Sequence, residues 1–435
     1  MSLLPMLRAL GHRNYRLYFI GQGVSLIGTW MQQVAAAWLV FELTHSSWWL
    51  GVVNFAGQMP AFFVAPFAGV LVDRWNRHRL LILTQTLMML QAFALAALAL
   101  THVIHVWHLL ALSALLGLVN AFDMTGRQAF LTQIVARRED LANAIALNSS
   151  MVNGTRLVGP ALAGVVLAGA GAGVCFLVNG ISYLAVLAAL LAMCVTQAER
   201  KAPHPPLVQG LREGFAYAFG FPPIRALLLL LAAASLMGFS YAVLLPVFAT
   251  DVLHGGARML GVLTAASGVG ALLAAMWLAA RKTVLGLGRV IAVAPAAAGL
   301  GLIAFSFSQW WWLSAPLLSV TGFALMAQMA SSNTILQTIV DEDKRGRVMS
   351  LYTMAFLGMS PLGSLLIGWL ADVLGAPAAL LISGVSCVLA SLAFAPYLPS
   401  LRARVRPIYT RLGILPQAAA GVQAATELTT PPEEE

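Results

Sequence analysis

The chain consists of long apolar runs separated by short polar connections. A transmembrane helix needs about 20 apolar residues, and about twelve runs reach that length. Because only helices and closed barrels satisfy their backbone groups in lipid, runs of this length predict an all-α membrane protein. The first six predicted spans cover approximately residues 15–41, 47–72, 80–101, 106–126, 141–168 and 172–195. The second six cover approximately residues 224–250, 258–280, 287–307, 310–333, 347–373 and 376–397.

The longest polar interruption lies halfway along the chain and divides the spans into two sets of six. We therefore predict a first unit over residues 1–195, a linker over 196–223, a second unit over 224–397 and a tail over 398–435. Apolar residues at near-helical spacing around residues 207–215 predict a short amphipathic helix in the linker. The tail is basic and then low in complexity, which predicts a largely disordered segment.

Composition excludes an ordinary soluble protein. Hydrophobic residues make up 60% of the 435 residues and charged residues only 9%, whereas soluble proteins average about 25% charged residues. The three cysteines, Cys175, Cys194 and Cys387, each lie in an apolar run. Their odd number and scattered spacing indicate neither a disulfide framework nor a zinc site, and we expect no metal or cofactor.

Basic residues are concentrated on one side of the predicted spans. Of the 25 lysines and arginines, only Arg156 and Arg258 lie outside the two termini and the connections of that side. By the positive-inside rule, both termini and the linker are predicted to be cytoplasmic. This arrangement also accounts for the net charge of +9, so we expect no nucleic-acid partner.

Two motifs carry a family resemblance. The connection between spans two and three, Gly69 to Arg79, reads GVLVDRWNRHR, and span five contains VGPALAG over 158–164. Further matching segments are GTWMQ at 28–32, WLVFELT at 38–44, RQAF at 127–130, NAIALN at 143–148 and RGRVMS at 345–350. The chain resembles the major facilitator superfamily, and within it the branch of enterobactin exporters and related efflux proteins.

The resemblance implies two six-helix bundles around a central cavity that opens alternately to either side. It assigns a gating role to the 2–3 connection, whose candidate residues are Gly69, Asp73, Arg74 and Arg77. It also pairs Arg77 with an acidic residue at the end of span four, for which Asp123 is placed. A purely topological role for the arginines of this loop is the alternative interpretation.

Span five carries the motif residues Arg156, Gly159, Pro160 and Gly164. The glycines allow close helix packing and the proline loosens the helix, so either tight packing or bending explains them. Arg156 is the formal charge that we place near the middle of a span, where insertion costs about 2.5–3.5 kcal/mol. We expect it to face the bundle interior, where it either anchors neighbouring polar groups such as Asn153 or contacts an anionic substrate.

A proton-coupled antiporter needs a titratable group that each side can reach in turn. Glu42, at the outer end of span one, is our candidate, with H⁺ as the expected coupling ion; an outer-interface role is the alternative. We predict polar lining residues for the cavity at Gln22, Gln32, Gln33, Asn54, Gln58, Asn153, Asn179, Gln328 and Asn333.

The resemblance implies a secondary-active transporter, which we expect to be a proton-coupled exporter of a small amphiphilic siderophore, drug or metabolite. No G-x-x-x-x-G-K-[ST] loop occurs in the sequence, so the chain holds no P-loop site for ATP. We expect a monomeric multi-pass protein of the bacterial inner membrane, with the lipid bilayer and a small-molecule substrate as its partners. A transport-inactive sensor or assembly protein, or a membrane-embedded enzyme, is the alternative; the dispersed histidines argue against the enzyme.

Overall fold

The computed structural model describes residues 4–135, 137–194, 215–281 and 283–411, and these ranges contain no β-strand. A 3-10 helix, Leu4–Gly11, precedes the first long helix. The first half contains α1 (Arg13–Thr44), α2 (Ser47–Arg74), α3 (Arg77–Leu100), α4 (Val106–Ile134) and α5 (Arg138–Leu191). The second half contains α6 (Pro222–Val252), α7 (Gly256–Ala279), α8 (Leu287–Ser306), α9 (Trp311–Ile339), α10 (Lys344–Leu374), α11 (Ala376–Phe394) and α12 (Tyr397–Arg411).

The predicted twelve spans are confirmed. Ten helices in the described ranges are long and apolar enough to cross a membrane. One of them, α5, holds two spans, because Gly171 has a non-helical backbone (φ 80°, ψ 174°) and reverses the chain there. The 28-residue α2 is also long enough to cross. Gly171 lies between the predicted spans 141–168 and 172–195, and its conformation is one that L-residues rarely adopt.

Two of the long helices are interrupted by wider π-helical turns. In α6 these turns are Ala234–Gly238 and Phe248–Val252, with a 3-10 turn, Phe239–Leu244, between them. In α10 the π turn is Met354–Gly358. Such turns shift the register of side chains along a helix and are frequent at functional positions.

The two halves repeat the same design. α4 and α9 are both 29 residues long, and Gly117 and Gly322 occupy the same position in them. Each glycine packs against a neighbouring backbone, Gly117 against Gly57 of α2 and Gly322 against Ser267 of α7. Gly375 (φ 87°, ψ 151°) joins α10 to α11 as Gly171 joins the two arms of α5.

Two ends of the molecule can be distinguished. We call the end at which α1 begins and α12 lies the near end, and the opposite end the far end. At the far end one hydrophobic cluster spans both halves, with Leu50 and Leu167 from the first half and Leu260 and Ile367 from the second. Two further clusters each belong to one half alone. The halves are therefore packed together most extensively at the far end.

Three details depart from the sequence prediction. Span four was expected to end near residue 126, but α4 continues to Ile134 and contains Arg127. The start of the expected disordered tail is the helix α12, because Leu401, Val405 and Tyr409 are buried against the second half. Residues 207–214 of the expected linker helix lie outside the described residues, and helix is present at 215–220.

Candidate functional site

Arg156 lies midway along the first arm of α5 and faces α1. Its guanidinium carbon lies 5.6 Å from the centroid of the Trp30 ring, in cation–π geometry. A Cβ atom on Gly159 would overlap the Trp30 side chain, so the motif glycine allows α1 to approach and sets the position of the indole. The Arg156 side chain is half-buried at this contact between α5 and α1.

The second half contributes groups to the same place. Gly268 of α7 packs on the Arg156 backbone, where an added Cβ would lie 3.0 Å from the carbonyl oxygen. Tyr241 of α6 is within electrostatic range of the guanidinium, and its hydroxyl is 2.5 Å from the Ser267 hydroxyl. No carboxylate of the described residues forms an ion pair with Arg156. The arginine is thus a cation at the seam between the halves, faced by an aromatic ring and hydroxyl groups.

Asn153 does not pair with Arg156 in this structure. Its side-chain amide instead donates to the Ser149 carbonyl one turn earlier, at 2.9 Å, because a short amide in a helix reaches its own backbone readily. Gln33, by contrast, is exposed on α1 three residues after Trp30, which places it about one helical turn from the indole.

Two of the predicted cavity residues belong to a buried amide chain inside the first half. The Asn179 amide donates to Gln32 Oε1 at 2.8 Å, and the Gln32 amide donates to Gln91 Oε1 at 3.0 Å. The Gln91 amide donates in turn to the Leu112 carbonyl at 3.3 Å. Gln32 and Asn179 are 4% and 0% exposed, so they hold α1, α3, α4 and α5 together and do not line a cavity in this conformation.

A second amide chain crosses between the halves. Gln58 donates to Asn54 Oδ1 at 3.0 Å, and Asn54 donates to the Ser364 hydroxyl of α10 at 2.6 Å. Both amide side chains are half-buried. Of the remaining predicted cavity residues, Gln22 and Gln328 are buried, and Asn333 accepts a hydrogen bond from Gln337 on its own helix.

The seam between the halves at the far end is built on glycines. An added Cβ on Gly164 of α5 would lie 2.8 Å from the Gly261 Cα of α7. On the other pair of helices, α2 and α10, Gly51 and Gly368 approach in the same way. The motif residue Gly164 thus packs the two halves together, and Pro160 presents its carbonyl oxygen to Gly261 one turn away.

A buried ion pair lies inside α4, where the sequence gave Asp123 a different partner. Asp123 Oδ2 is 2.7 Å from Arg127 Nε, in an ion pair rather than an aligned hydrogen bond. Asp123 Oδ1 accepts hydrogen bonds from Thr84 and Gln85 of α3, both at 2.8 Å. The carboxylate is 0% exposed. The expected pairing of Asp123 with Arg77 is therefore replaced by a pair four residues apart on one helix.

Sequence reasoning missed Arg127 because it was placed in the connection after span four. The signal was present, since an acid and a base four residues apart in an apolar helix neutralise one another and can stay in the membrane. The equivalent positions of α9 are Gln328 and Ser332. Both side chains are fully buried and have no hydrogen-bond partner among the described residues. The two halves thus differ at this point: one holds an ion pair and the other neutral polar groups.

The remaining predicted residues are placed as follows. Gly69, Asp73 and Arg74 lie at the near end of α2, and the side chains of Asp73 and Arg74 are outside the described part of the structure. Arg77 begins α3 and is engaged with other groups. Glu42 is exposed near the far end of α1. The predicted roles of these residues stay predictions.

Solved structures show the same fold. A bacterial homologue of the human lysosomal transporter Spinster has a TM-score of 0.67 at 16% identity, covering 90% of this chain and 97% of that one. The nucleoside transporter NupG has a TM-score of 0.67 at 13% identity, covering 88% of this chain and 98% of that one.

Curated relatives cover most of the chain. The staphyloferrin A transporter of Staphylococcus aureus is 28% identical over 87% of this chain and 95% of its own length. The multidrug efflux pump Tap of Mycolicibacterium fortuitum is 27% identical over 85% and 91%. The enterobactin exporter EntS of Citrobacter koseri is 26% identical over 90% and 93%.

A family profile for transmembrane secretion effectors matches residues 6–407. This match covers nearly all of the described helices and agrees with the fold and the relatives. The chain belongs to the transmembrane secretion effectors of the major facilitator superfamily, and it is a multi-pass membrane transporter rather than an enzyme.

Proposed function

We propose that the protein exports a small amphiphilic molecule that carries negative charge, with Arg156 as the contact for that charge. The observation that carries the proposal is a guanidinium at the seam of the halves with an indole beside it and no ion-paired carboxylate among the described residues. A cation held near mid-membrane needs a partner. An anion with an aromatic or apolar body supplies one, and the relatives include a staphyloferrin A transporter and an enterobactin exporter.

We further infer that transport proceeds by alternating access and that the structure represents the state open toward the near end. The shared hydrophobic cluster and the glycine seams support this inference, because they close the far end around Leu50, Gly164 and Gly261. Exchange between two such packings of rigid halves is a standard route of transport in this kind of fold. The 2–3 connection, with Asp73 and Arg77, is proposed as the gate that closes the near end.

For the coupling ion we propose H⁺. Glu42 is exposed at the far end, and a carboxylate in free contact with one side is poorly suited to exchange a proton with both. Asp123 is a better candidate, since it is fully buried and its only ionic partner among the described residues is Arg127.

Replacing Arg156 by lysine should raise the apparent KM for anionic substrates by about 10-fold, because the planar fork that binds carboxylate or catecholate oxygens is lost. Accumulation of a radiolabelled siderophore, such as staphyloferrin A or enterobactin, by energised inverted vesicles measures the effect. A neutral drug should be much less affected.

The matched control is Arg258→Lys, an exposed arginine on the adjacent helix α7. If the two variants have the same apparent KM for every substrate, Arg156 is not part of the binding site. A wild-type protein that accumulates no substrate at all would instead favour the sensor or assembly role.

The orientation can be tested on the native chain through its cysteines. Cys194 is exposed at the near end, whereas Cys175 and Cys387 are buried. If the near end is cytoplasmic, as the basic residues indicate, an impermeant maleimide should label inverted vesicles and leave intact cells unlabelled. A Val103→Cys variant that also lacks Cys194 should show the opposite pattern, because Val103 is exposed at the far end. Labelling of native Cys194 in intact cells would show that the near end faces the outside of the cell.

A further inference from the structure

A groove lies between the near ends of α6 and α11, away from the seam of the halves. Its volume is about 260 Å³, and its lining includes Arg225, Ala226 and Leu229 of α6 and Ala393 and Tyr397 at the other wall. The groove is mostly apolar, with its single charged residue, Arg225, in the first turn of α6.

The apolar part of the groove faces lipid. Leu229 is 54% exposed and Ala393 is exposed beside it, and large exposed apolar side chains on a membrane-spanning helix meet acyl chains. From Arg225 to Ala233 the groove follows α6 for about 12 Å at the rise of an α-helix. Alanines at Ala226, Ala233 and Ala393 leave a channel that no side chain of the described residues fills.

The mouth of the groove is polar and positively charged. Arg225 is exposed and has no ion-pair partner among the described residues. Tyr397, 54% exposed, adds a phenol at the depth where tyrosines favour the membrane interface. From Tyr397 onwards α12 runs along the same end, and its exposed arginines likewise lack acidic partners within the described ranges; they are Arg402, Arg404 and Arg406.

We propose that this groove binds one anionic phospholipid. Its phosphate is held at the mouth by Arg225 and the Tyr397 hydroxyl, and one acyl chain lies along the alanine channel between α6 and α11. Anionic headgroups are attracted by basic residues at a membrane surface. A second copy of the chain is a poorer occupant, because its own near end is basic and the two surfaces would repel one another.

Native mass spectrometry of the full-length protein in detergent tests the site. The protein is titrated separately with phosphatidylglycerol and with phosphatidylethanolamine of the same acyl chains. The wild type should bind a first phosphatidylglycerol more tightly than phosphatidylethanolamine. Arg225→Gln should weaken that phosphatidylglycerol binding about five-fold, the loss expected for one surface arginine. It should weaken phosphatidylethanolamine binding less, because the ammonium group of that lipid offsets its phosphate charge.

Two further variants separate a groove from a general charge effect. Ala393→Leu fills the channel without altering charge and should weaken binding of both lipids. Arg289→Gln removes an exposed near-end arginine of α8 outside the groove and should change neither. The proposal is wrong if Arg225→Gln matches Arg289→Gln, if the wild type binds both lipids equally, or if Ala393→Leu leaves phosphatidylglycerol binding intact.

Discussion

Replacing Asp123 by asparagine should destabilise the protein by about 3–5 kcal/mol, the usual consequence of leaving one member of a buried ion pair without its partner. Arg127 would remain inside α4 as an uncompensated cation, with the neutral side chain of Asn in place of its carboxylate. Arg127→Gln should have an effect of similar size. Heating the detergent-solubilised protein and measuring the monodisperse fraction by size exclusion gives the apparent Tm that reports this loss.

The double variant Asp123→Asn, Arg127→Gln should recover most of the apparent Tm, because no unpaired charge is then left in the helix. Glu342→Gln is the matched control. Its pair with Arg345 is 3.9 Å long and largely exposed, and pairs of that kind contribute at most about 1 kcal/mol. If the apparent Tm of both single variants falls no further than that of the control, the buried pair contributes nothing to stability. The recovered double variant also tests coupling, since it should fold normally and yet fail to concentrate substrate if Asp123 carries the proton.

Gly164→Leu should abolish transport by holding the far end open. The new side chain starts 2.8 Å from the Gly261 Cα, so α5 and α7 cannot approach as they do here. Overpacking of this kind costs about 1–3 kcal/mol or more, and each 1.4 kcal/mol shifts a two-state equilibrium about tenfold. Spin labels at Val103 and Phe307, exposed at the far end of the two halves, should move apart.

The control lies ten residues earlier on the same helix. Nothing lies within 4 Å of a Cβ added at Gly154, so Gly154→Leu should keep both the label distance and the transport rate of the parent. Leucine has a higher helix propensity than glycine, so Gly154→Leu should not weaken the helix. If Gly164→Leu keeps the short label distance, the far end closes by contacts other than this glycine seam.

The spans could be predicted from the sequence because membrane solvent imposes a long apolar pattern on each helix. The end of α4 could not. The sequence prediction ended the span before Arg127 because a charged residue is typical of a loop. The structure shows that the Asp123 carboxylate pairs with this charge inside the helix. The helix at the start of the tail was not predicted because its apolar face, which includes the buried Val405, is short and lies among arginines.

Cavity residues were harder to predict. A polar residue can lie inside one helix bundle or in the cavity between the two bundles, and its polarity does not distinguish these positions. Gln32 and Gln33 are neighbours in sequence, yet Gln32 is locked to Gln91 and Asn179 within the first half while Gln33 is exposed. Only the rotation of α1 distinguishes them. An intramembrane charge has few tolerable surroundings, so the position of Arg156 in the sequence is more informative than that of any amide.

The one-glycine connections at Gly171 and Gly375 restrict the path by which a substrate can leave. The two arms of α5 are tied at the far end by a single residue, and so are α10 and α11. Neither pair can therefore part there to let a molecule leave sideways into the bilayer. The glycine seams α5–α7 and α2–α10 join the halves at that end without a covalent link. In the proposed alternating-access cycle, the substrate therefore leaves between the halves, and its largest cross-section is limited by how far these two seams separate.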